Sequence, residues 1–577
     1  LSKAIELLFA KALKAERQGG GAQARSIYQR IVAQQPEHAR ARARLARLGA
    51  GKPIAGDLPA SEIGALLKLV RENDPEGVIA RAEKLLVRYP GSFALQCFIG
   101  EAYVSLERFE PALEAYRRAV LVNSDCGRTK GRLGHVLFKC GQIREAVEAY
   151  DQAISLEPKN LKILWSIGSN LLELERHAQA EKVFRKALSI DPQNGDAVTG
   201  LGIAVMSQAR LDEAKMILRS AVALRPADAT SRNALGSVHL LTGAFEEAEQ
   251  ELLAALNLRS DFVDARFALG TSKLVRGNFE QGLRLYENRK LRSESAGVID
   301  ISVPEWLGVE DIASKSLYVH WEQGLGDTIQ FCRYVTMLRD RGANVTLCVQ
   351  TALKPLLAGS FPDLEIVTAL PDGRDFDYHT PLLSLPLAMG TRLQTIPAPV
   401  PYLDVNPARV RKWTERLGST AFKVGVRWVG GQRSVNDKRS LSLADLAPLA
   451  AIPGVRLISL VQGADFAGIP DGLVIEQPEP DFDRPGEEFL DTAAIMRNCD
   501  LVISCDTSVA HLAGALGIPT WLILPQVAEW RWLIDREDTP WYPTMRLFRQ
   551  TKPGDWEQIM LRVRLTLIEK IKVRRQF

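Results

Sequence analysis

The sequence is short of the residues that would tie it to several common classes. Its seven cysteines, Cys97, Cys126, Cys140, Cys332, Cys348, Cys499 and Cys505, are odd in number and form no Cys-x-x-Cys pair. Neither a disulfide framework nor a zinc site is supported. Net charge is only +4 over 577 residues, which makes no case for a nucleic-acid protein. The local basic cluster Arg40, Arg42, Arg44 and Arg47 reads as a solvated helical face. No run of about 18 uninterrupted apolar residues occurs, so no spanning helix is expected. No signal-peptide pattern stands in the sequence. With the cysteine usage, this makes a reducing cytoplasm the expected compartment. What remains is ordinary soluble globular composition, 46% hydrophobic and 25% charged, with length enough for roughly three or four domains.

The first half keeps a 34-residue period. Glycines recur at Gly100, Gly134, Gly168, Gly202, Gly236 and Gly270. Small residues follow at Ala112, Ala146, Ala180, Ala214, Ala248 and Gly282, and large ones at Tyr116, Tyr150, Phe184, Leu218, Leu252 and Tyr286. Pro90, Pro158, Pro192 and Pro226 close successive units, with Ser124 and Ser260 in the intervening slots. Four position classes on one period resemble tetratricopeptide (TPR) repeats. Each unit is then a helix–turn–helix that cannot bury its apolar face alone, so the units stack into a solenoid with a concave face. The large residue is expected to fill the gap to the next repeat. Residues 1–92 read as degenerate TPR-like helices, broken at Gly19-Gly20-Gly21 and again between Gly49 and Pro59, and 93–290 as the solenoid proper. Leu291–Ser316 has little periodicity and reads as a linker.

The second half alternates strands with helices. Strands are predicted at Leu317–Trp321, Val345–Val349, Leu364–Val367, Val424–Val429, Arg456–Val461, Leu501–Cys505, Thr520–Leu524 and Met545–Phe548. This pattern argues for parallel sheets covered by helices. About 260 residues suit two Rossmann-like halves, 317–400 and 401–577, with the proline-rich run Pro397–Pro407 at their boundary. Two strand–turn–helix units carry the chemistry. In one, a strand runs into Gly324-Leu-Gly326 and a helix starts near Asp327. In the other, Leu501–Cys505 runs into Asp506-Thr507-Ser508 and a small-residue helix. Glycines allow close approach by a ligand, and a helix N-terminus offers free N–H groups to an anion. The plain alternative for the second unit is an ordinary capped turn with Asp506 as N-cap. Arg427 ends a strand and, with Lys438 and Arg439, is suited to neutralise a phosphate. Thr507 and Ser508 are expected to hold phosphate oxygens, and His511 either reaches that phosphate or packs on the neighbouring strand. Gln462 ends a strand beside the same site. Trp530, Trp532, Trp541 and Tyr542 read as packing residues.

The paired stretches Gly324–Asp327 and Asp506–Ala513 resemble the motifs of heptosyltransferase-type GT-B glycosyltransferases. The segments Val424–Gly430, Asn436–Leu441 and Trp530–Pro543 resemble TPR-fused bacterial members. The overall plan is similar to O-GlcNAc transferases and to flagellin glycosyltransferases. The resemblance implies an α-helical TPR solenoid followed by an α/β GT-B module, a nucleotide-sugar donor as substrate, no metal and no separate cofactor. No Asp-x-Asp motif stands at the end of a predicted strand, in keeping with this. It implies Asp327 as the acceptor base, with His320 and Glu322 on the same strand end as alternatives and helix capping as the plain role of Asp327. It places Thr492, beside Asp491, at the ribose. The family turn reads Asp-Thr-Gly where this chain has Ser508, which bears on the donor that fits. The expected function is transfer of a sugar to a protein acceptor docked by the repeats. Flagellin is the acceptor the resemblance suggests, and a nonulosonic acid such as pseudaminic acid the sugar. The alternatives are a lipopolysaccharide-type acceptor glycan, or a non-catalytic protein-binding scaffold. If Asp327 is the base, its loss should barely change nucleotide affinity, because the donor sits mainly on the other half.

Overall fold

The computed structural model describes residues 2–17, 21–35, 38, 40–41, 44, 58–292, 301–430, 439–463, 469–470, 472–478 and 482–576. Gly19, Gly20, Pro36, Arg42, Arg47, 49–57 and Lys438 lie outside them. The chain divides into two compact units, Leu1–Leu224 and Arg225–Phe577.

The first unit is helical among its described residues. Helices Phe93–Ser105 and Phe109–Val122, Gly127–Lys139 and Ile143–Leu156, Leu161–Glu173 and His177–Ile190, and Gly195–Ser207 and Leu211–Leu224 are successive repeat pairs. Ser2–Arg17, Gly21–Gln34, Ala60–Arg71 and Pro75–Arg88 precede them. Side-chain oxygens start several of these helices. Asp74 accepts the Gly77 N–H at 2.8 Å and Asn194 that of Ala197 at 3.0 Å. The repeat glycine is a matter of space. A Cβ on Gly134 would lie 2.5 Å from the Tyr150 ring, and one on Gly168 2.6 Å from that of Phe184. The large residue thus packs on the glycine of its own repeat, the reason the two positions keep a fixed offset. Phe184 also lies against Gly200 of the following repeat, so it fills the expected gap as well. Arg40 pairs with Glu6 and Arg44 with Asp125, as an ordinary charged helix face does.

The second unit opens with two more helix pairs of the same register, Ala229–Leu241 with Phe245–Leu258 and Val263–Val275 with Phe279–Tyr286. Two all-parallel sheets follow. The first is β1 (Ser316–His320), β2 (Asn344–Cys348), β3 (Glu365–Val367) and β4 (Tyr378–Pro381), in the order β3-β2-β1-β4. The second is β5 (Phe422–Arg427), β6 (Val455–Ser459), β7 (Ile475–Glu476), β8 (Leu501–Cys505), β9 (Thr520–Leu524) and β10 (Met545–Arg549), in the order β10-β9-β8-β5-β6-β7. β8 and β9 are near-continuous apolar runs because both faces are buried. Leu501–Cys505 and Thr520–Leu524 are buried at every position.

One core joins the last repeat pair to both sheets. Phe279, Leu283 and Tyr286 share it with Val319, Leu347, Trp530 and Trp541. The described part of 291–316 belongs to the same body. Trp306 is fully buried, its indole N–H donating to the Glu310 carbonyl, and Glu305 forms a β-bridge with His379 of β4. The run Pro397–Pro407 is packed too. The Tyr402 N–H donates to the Ala515 carbonyl at 3.0 Å, and its hydroxyl donates to that of Ile329.

Candidate functional site

The two turns singled out in the sequence face one another. The helix Leu325–Phe331 starts beyond the C-terminal end of β1, and Ser508–Ala515 beyond that of β8, where open parallel sheets present ligand sites. A Cβ on Gly326 would stand 2.9 Å from the His511 ring and 3.4 Å from the Ser508 Cα. The glycine therefore admits the opposing helix. Beside this contact opens a cleft of about 400 Å³. Gly324, Gly326, Asp327, Arg427, Arg439, Asp506, Thr507, Ser508 and His511 all line it, with Gln350, Glu529 and Arg531.

Three cations and three carboxylates meet there. Arg427 is held by carbonyls, its Nε donating to Val429 O at 2.8 Å and Nη1 to Leu460 O at 3.1 Å. Burial lowers its pKa. Asp506 is buried, and burial pushes its carboxyl up to about 6. Glu529 adds to the push and Arg439 opposes it. Asp506 is not the helix cap. Thr507 occupies that position, no side chain caps the first turn of Ser508–Ala515, and Thr507 and Ser508 line the cleft. Gln350 accepts the Thr328 hydroxyl at 2.8 Å, while its buried Nε2 has no partner among the described residues.

Asp327 does two things at once. Its Oδ2 accepts the Gly324 N–H at 2.7 Å, closing the turn, and its Oδ1 accepts Arg531 Nη2 at 2.5 Å. Arg531 is only 4% exposed. It also donates to Glu529 at 2.5 Å, and its guanidinium lies over the Phe331 and Trp530 rings. Burial alone would lower its pKa, but Glu529 and Asp327 outweigh that and hold it above the ordinary value. Its Nε has no partner among the described residues. His511 packs, its Nδ1 2.9 Å from the Tyr542 hydroxyl and its ring stacked on Trp532, while still lining the cleft. Burial keeps its pKa well below the usual value, and Arg531 and Arg333 add to this.

Other candidates sit elsewhere. His320 is buried at the end of β1, with Nε2 3.2 Å from His379 Nδ1, and burial lowers its pKa to about 4. Glu322 is tied up by Arg289, which donates to it at 2.5 and 3.1 Å and also bonds Ser384. Gln462 donates to the Phe482 and Asp483 carbonyls, and the Thr492 hydroxyl donates to Asp483. Neither lines the cleft. Lys438 lies outside the described residues. Trp530, Trp532, Trp541 and Tyr542 are buried. Arg531, Glu529 and Gln350 are absent from the sequence expectations. Arg531 stands within a stretch quoted for its resemblance, but no spacing marks it among neighbouring tryptophans as a cleft residue. No group of three or more His, Cys, Asp or Glu suited to a metal ion occurs among the described residues.

Tetratricopeptide-repeat family models match residues 94–126, 132–195 and 171–236. The helix pairs over those residues are thus tetratricopeptide repeats. The chain is 29% identical over 313 residues to Protein FlbA of Caulobacter vibrioides, covering 50% of this chain and 52% of FlbA. It therefore spans about half the length of the curated relative it matches. Among solved structures, YrrB, a TPR protein with an unusual peptide-binding site, covers 32% of this chain and 95% of its own at 19% identity and TM-score 0.27. TTC0263, a thermophilic TPR protein of Thermus thermophilus, covers 32% and 100% at 21% identity and TM-score 0.28. Among the described residues no helix is long and apolar enough to cross a membrane.

Proposed function

We propose that the chain is a cytoplasmic protein O-glycosyltransferase of GT-B type, with 317–400 and 401–577 as its two Rossmann-like halves. The repeats dock a protein acceptor, and the cleft takes a nucleotide sugar. One observation carries this reading. Two strand–turn–helix units, one from each sheet, converge on one cleft that holds Arg427, Arg439 and an uncapped helix start. That is the donor set a nucleotide phosphate requires. In the reaction Asp327 takes the proton of the acceptor hydroxyl, and the oxygen bonds the anomeric carbon. The bond from that carbon to the phosphate oxygen breaks, and the nucleotide leaves with its electron pair, stabilised by these cations and dipoles. The cations do the work of a metal, so turnover should survive EDTA. Of the three base candidates, only Asp327 lines the cleft. Flagellin remains the acceptor and a nonulosonic acid the sugar suggested by resemblance.

The test is intact-mass analysis of surface proteins from cells that carry the gene, lack it, or carry Asp327→Asn. The reading expects one protein to lose a glycan mass in both altered strains. A normal glycan on every protein in both, or loss of a lipopolysaccharide sugar instead, contradicts it.

A further inference from the structure

The cleft is neutralised from within. Its lining carries Arg427, Arg439 and Arg531 against Asp327, Asp506 and Glu529. Arg531 differs from Arg427. Its guanidinium is buried and bound by two carboxylates from different places, Asp327 beyond β1 and Glu529 beyond β9. Its Nε is buried without a partner among the described residues. A guanidinium presents a planar fork that matches a phosphate as well as a carboxylate. Asp327, for its part, needs a free carboxylate oxygen to receive a proton. Oδ2 is spent on the Gly324 N–H and Oδ1 on Arg531. With one oxygen closing the turn and the other on a buried guanidinium, the carboxylate is not free to turn towards an acceptor hydroxyl.

We propose that Arg531 is an anion-binding group of the cleft and Asp327 its resident counter-ion, so that an incoming phosphate exchanges for Asp327 on Arg531 and frees the carboxylate to act. The proposal rests on the reading of the cleft as a phosphate-donor site and adds the order of events within it. The base is idle until the donor is bound. Glu529 remains on Arg531 throughout, so the buried guanidinium never loses its last carboxylate.

This reverses one expectation from the sequence. If Asp327 competes with phosphate for Arg531, removing its charge must tighten anion binding instead of leaving it unchanged. The test is calorimetric titration of the full chain with inorganic pyrophosphate, using wild type, Asp327→Asn, Arg531→Lys, Asp327→Asn/Arg531→Lys and Arg427→Lys. Asparagine keeps the turn, because its side-chain oxygen still accepts the Gly324 N–H. Lysine keeps the charge that Glu529 needs but loses the fork, and thermal melts establish that each variant folds. Asp327→Asn should bind pyrophosphate roughly tenfold more tightly than wild type, the order expected for removing one charged competitor. Arg531→Lys should bind more weakly than wild type, and the double variant should show little of the gain. Pyrophosphate binding that weakens in Arg427→Lys but is unmoved by Asp327→Asn overturns the exchange and leaves the phosphate site standing. No pyrophosphate binding to any variant overturns both.

Discussion

At the residue scale, the cleft holds groups away from their ordinary ionisation, and the signs can be worked out. The Asp506 carboxyl is raised to about 6, above its value of about 3.9 in an unfolded chain. The folded state binds the proton more tightly, so Asp506 favours folding at low pH, and that contribution is lost as pH rises from about 4 through about 6. Asp506→Asn should therefore stabilise the protein above pH 6, by about 1–3 kcal/mol, with the gain shrinking towards pH 4. Denaturant melts at pH 4.5 and pH 8 read this directly, and a variant no more stable than wild type at pH 8 contradicts it. His320 runs the other way. Its folded value of about 4 means that stability present above about 6.5 is lost as pH falls towards 4. Strand-end position found Arg427 and Asp506 in the sequence. It also promoted Gln462, as the resemblance promoted Thr492, and both bond locally around Asp483. A strand end fixes where a backbone stops, not which way the next side chain turns.

At the scale of elements, the contact between Leu325–Phe331 and Ser508–Ala515 positions the site, and Gly326 permits it. Gly326→Ala places a methyl 2.9 Å from the His511 ring. It should destabilise by roughly 1–3 kcal/mol, as overpacking does. Gly359→Ala is the control. It lies in the helix Lys354–Ser360 with nothing within 4 Å of the added methyl, and alanine there should be neutral or stabilising by about 0.5–1 kcal/mol. Equal melting temperatures for both variants would sink the argument. Most elements were legible because a buried parallel strand is an apolar run and a repeat helix keeps its period. β4 and β7 were not. Tyr378-His-Thr-Pro381 has two polar residues and ends on proline, and β7 is only two residues long. Neither carries a pattern long enough to read. The glycine turn at 324–326 was legible as a close approach, but the sequence assigned that approach to a ligand, whereas at Gly326 it is made by a helix.

At the scale of the molecule, the change from repeat to α/β sequence near residue 290 does not coincide with the change of compact unit. Phe279, Leu283 and Tyr286 belong to the last repeat pair yet are buried with Trp306, Trp530 and Trp541. Residues 225–577 should therefore fold as a fragment. Residues 291–577 should not, since losing three large buried side chains costs about 5–9 kcal/mol, comparable to the stability of a whole domain. Cooperative thermal unfolding separates the two outcomes, and a well-folded 291–577 fragment contradicts this division. A 34-residue period could not reveal it, because helix pairs of the same register serve both units.

The account turns on the cleft being a nucleotide-sugar site. The most direct measurement is calorimetric titration of the purified full chain with uridine, guanosine, thymidine and cytidine nucleotide sugars, in EDTA, beside Arg427→Lys. The account predicts that one nucleotide class binds in EDTA and binds more weakly to the variant. Binding that requires added magnesium or manganese, binding indifferent to Arg427, or no binding of any class would contradict it.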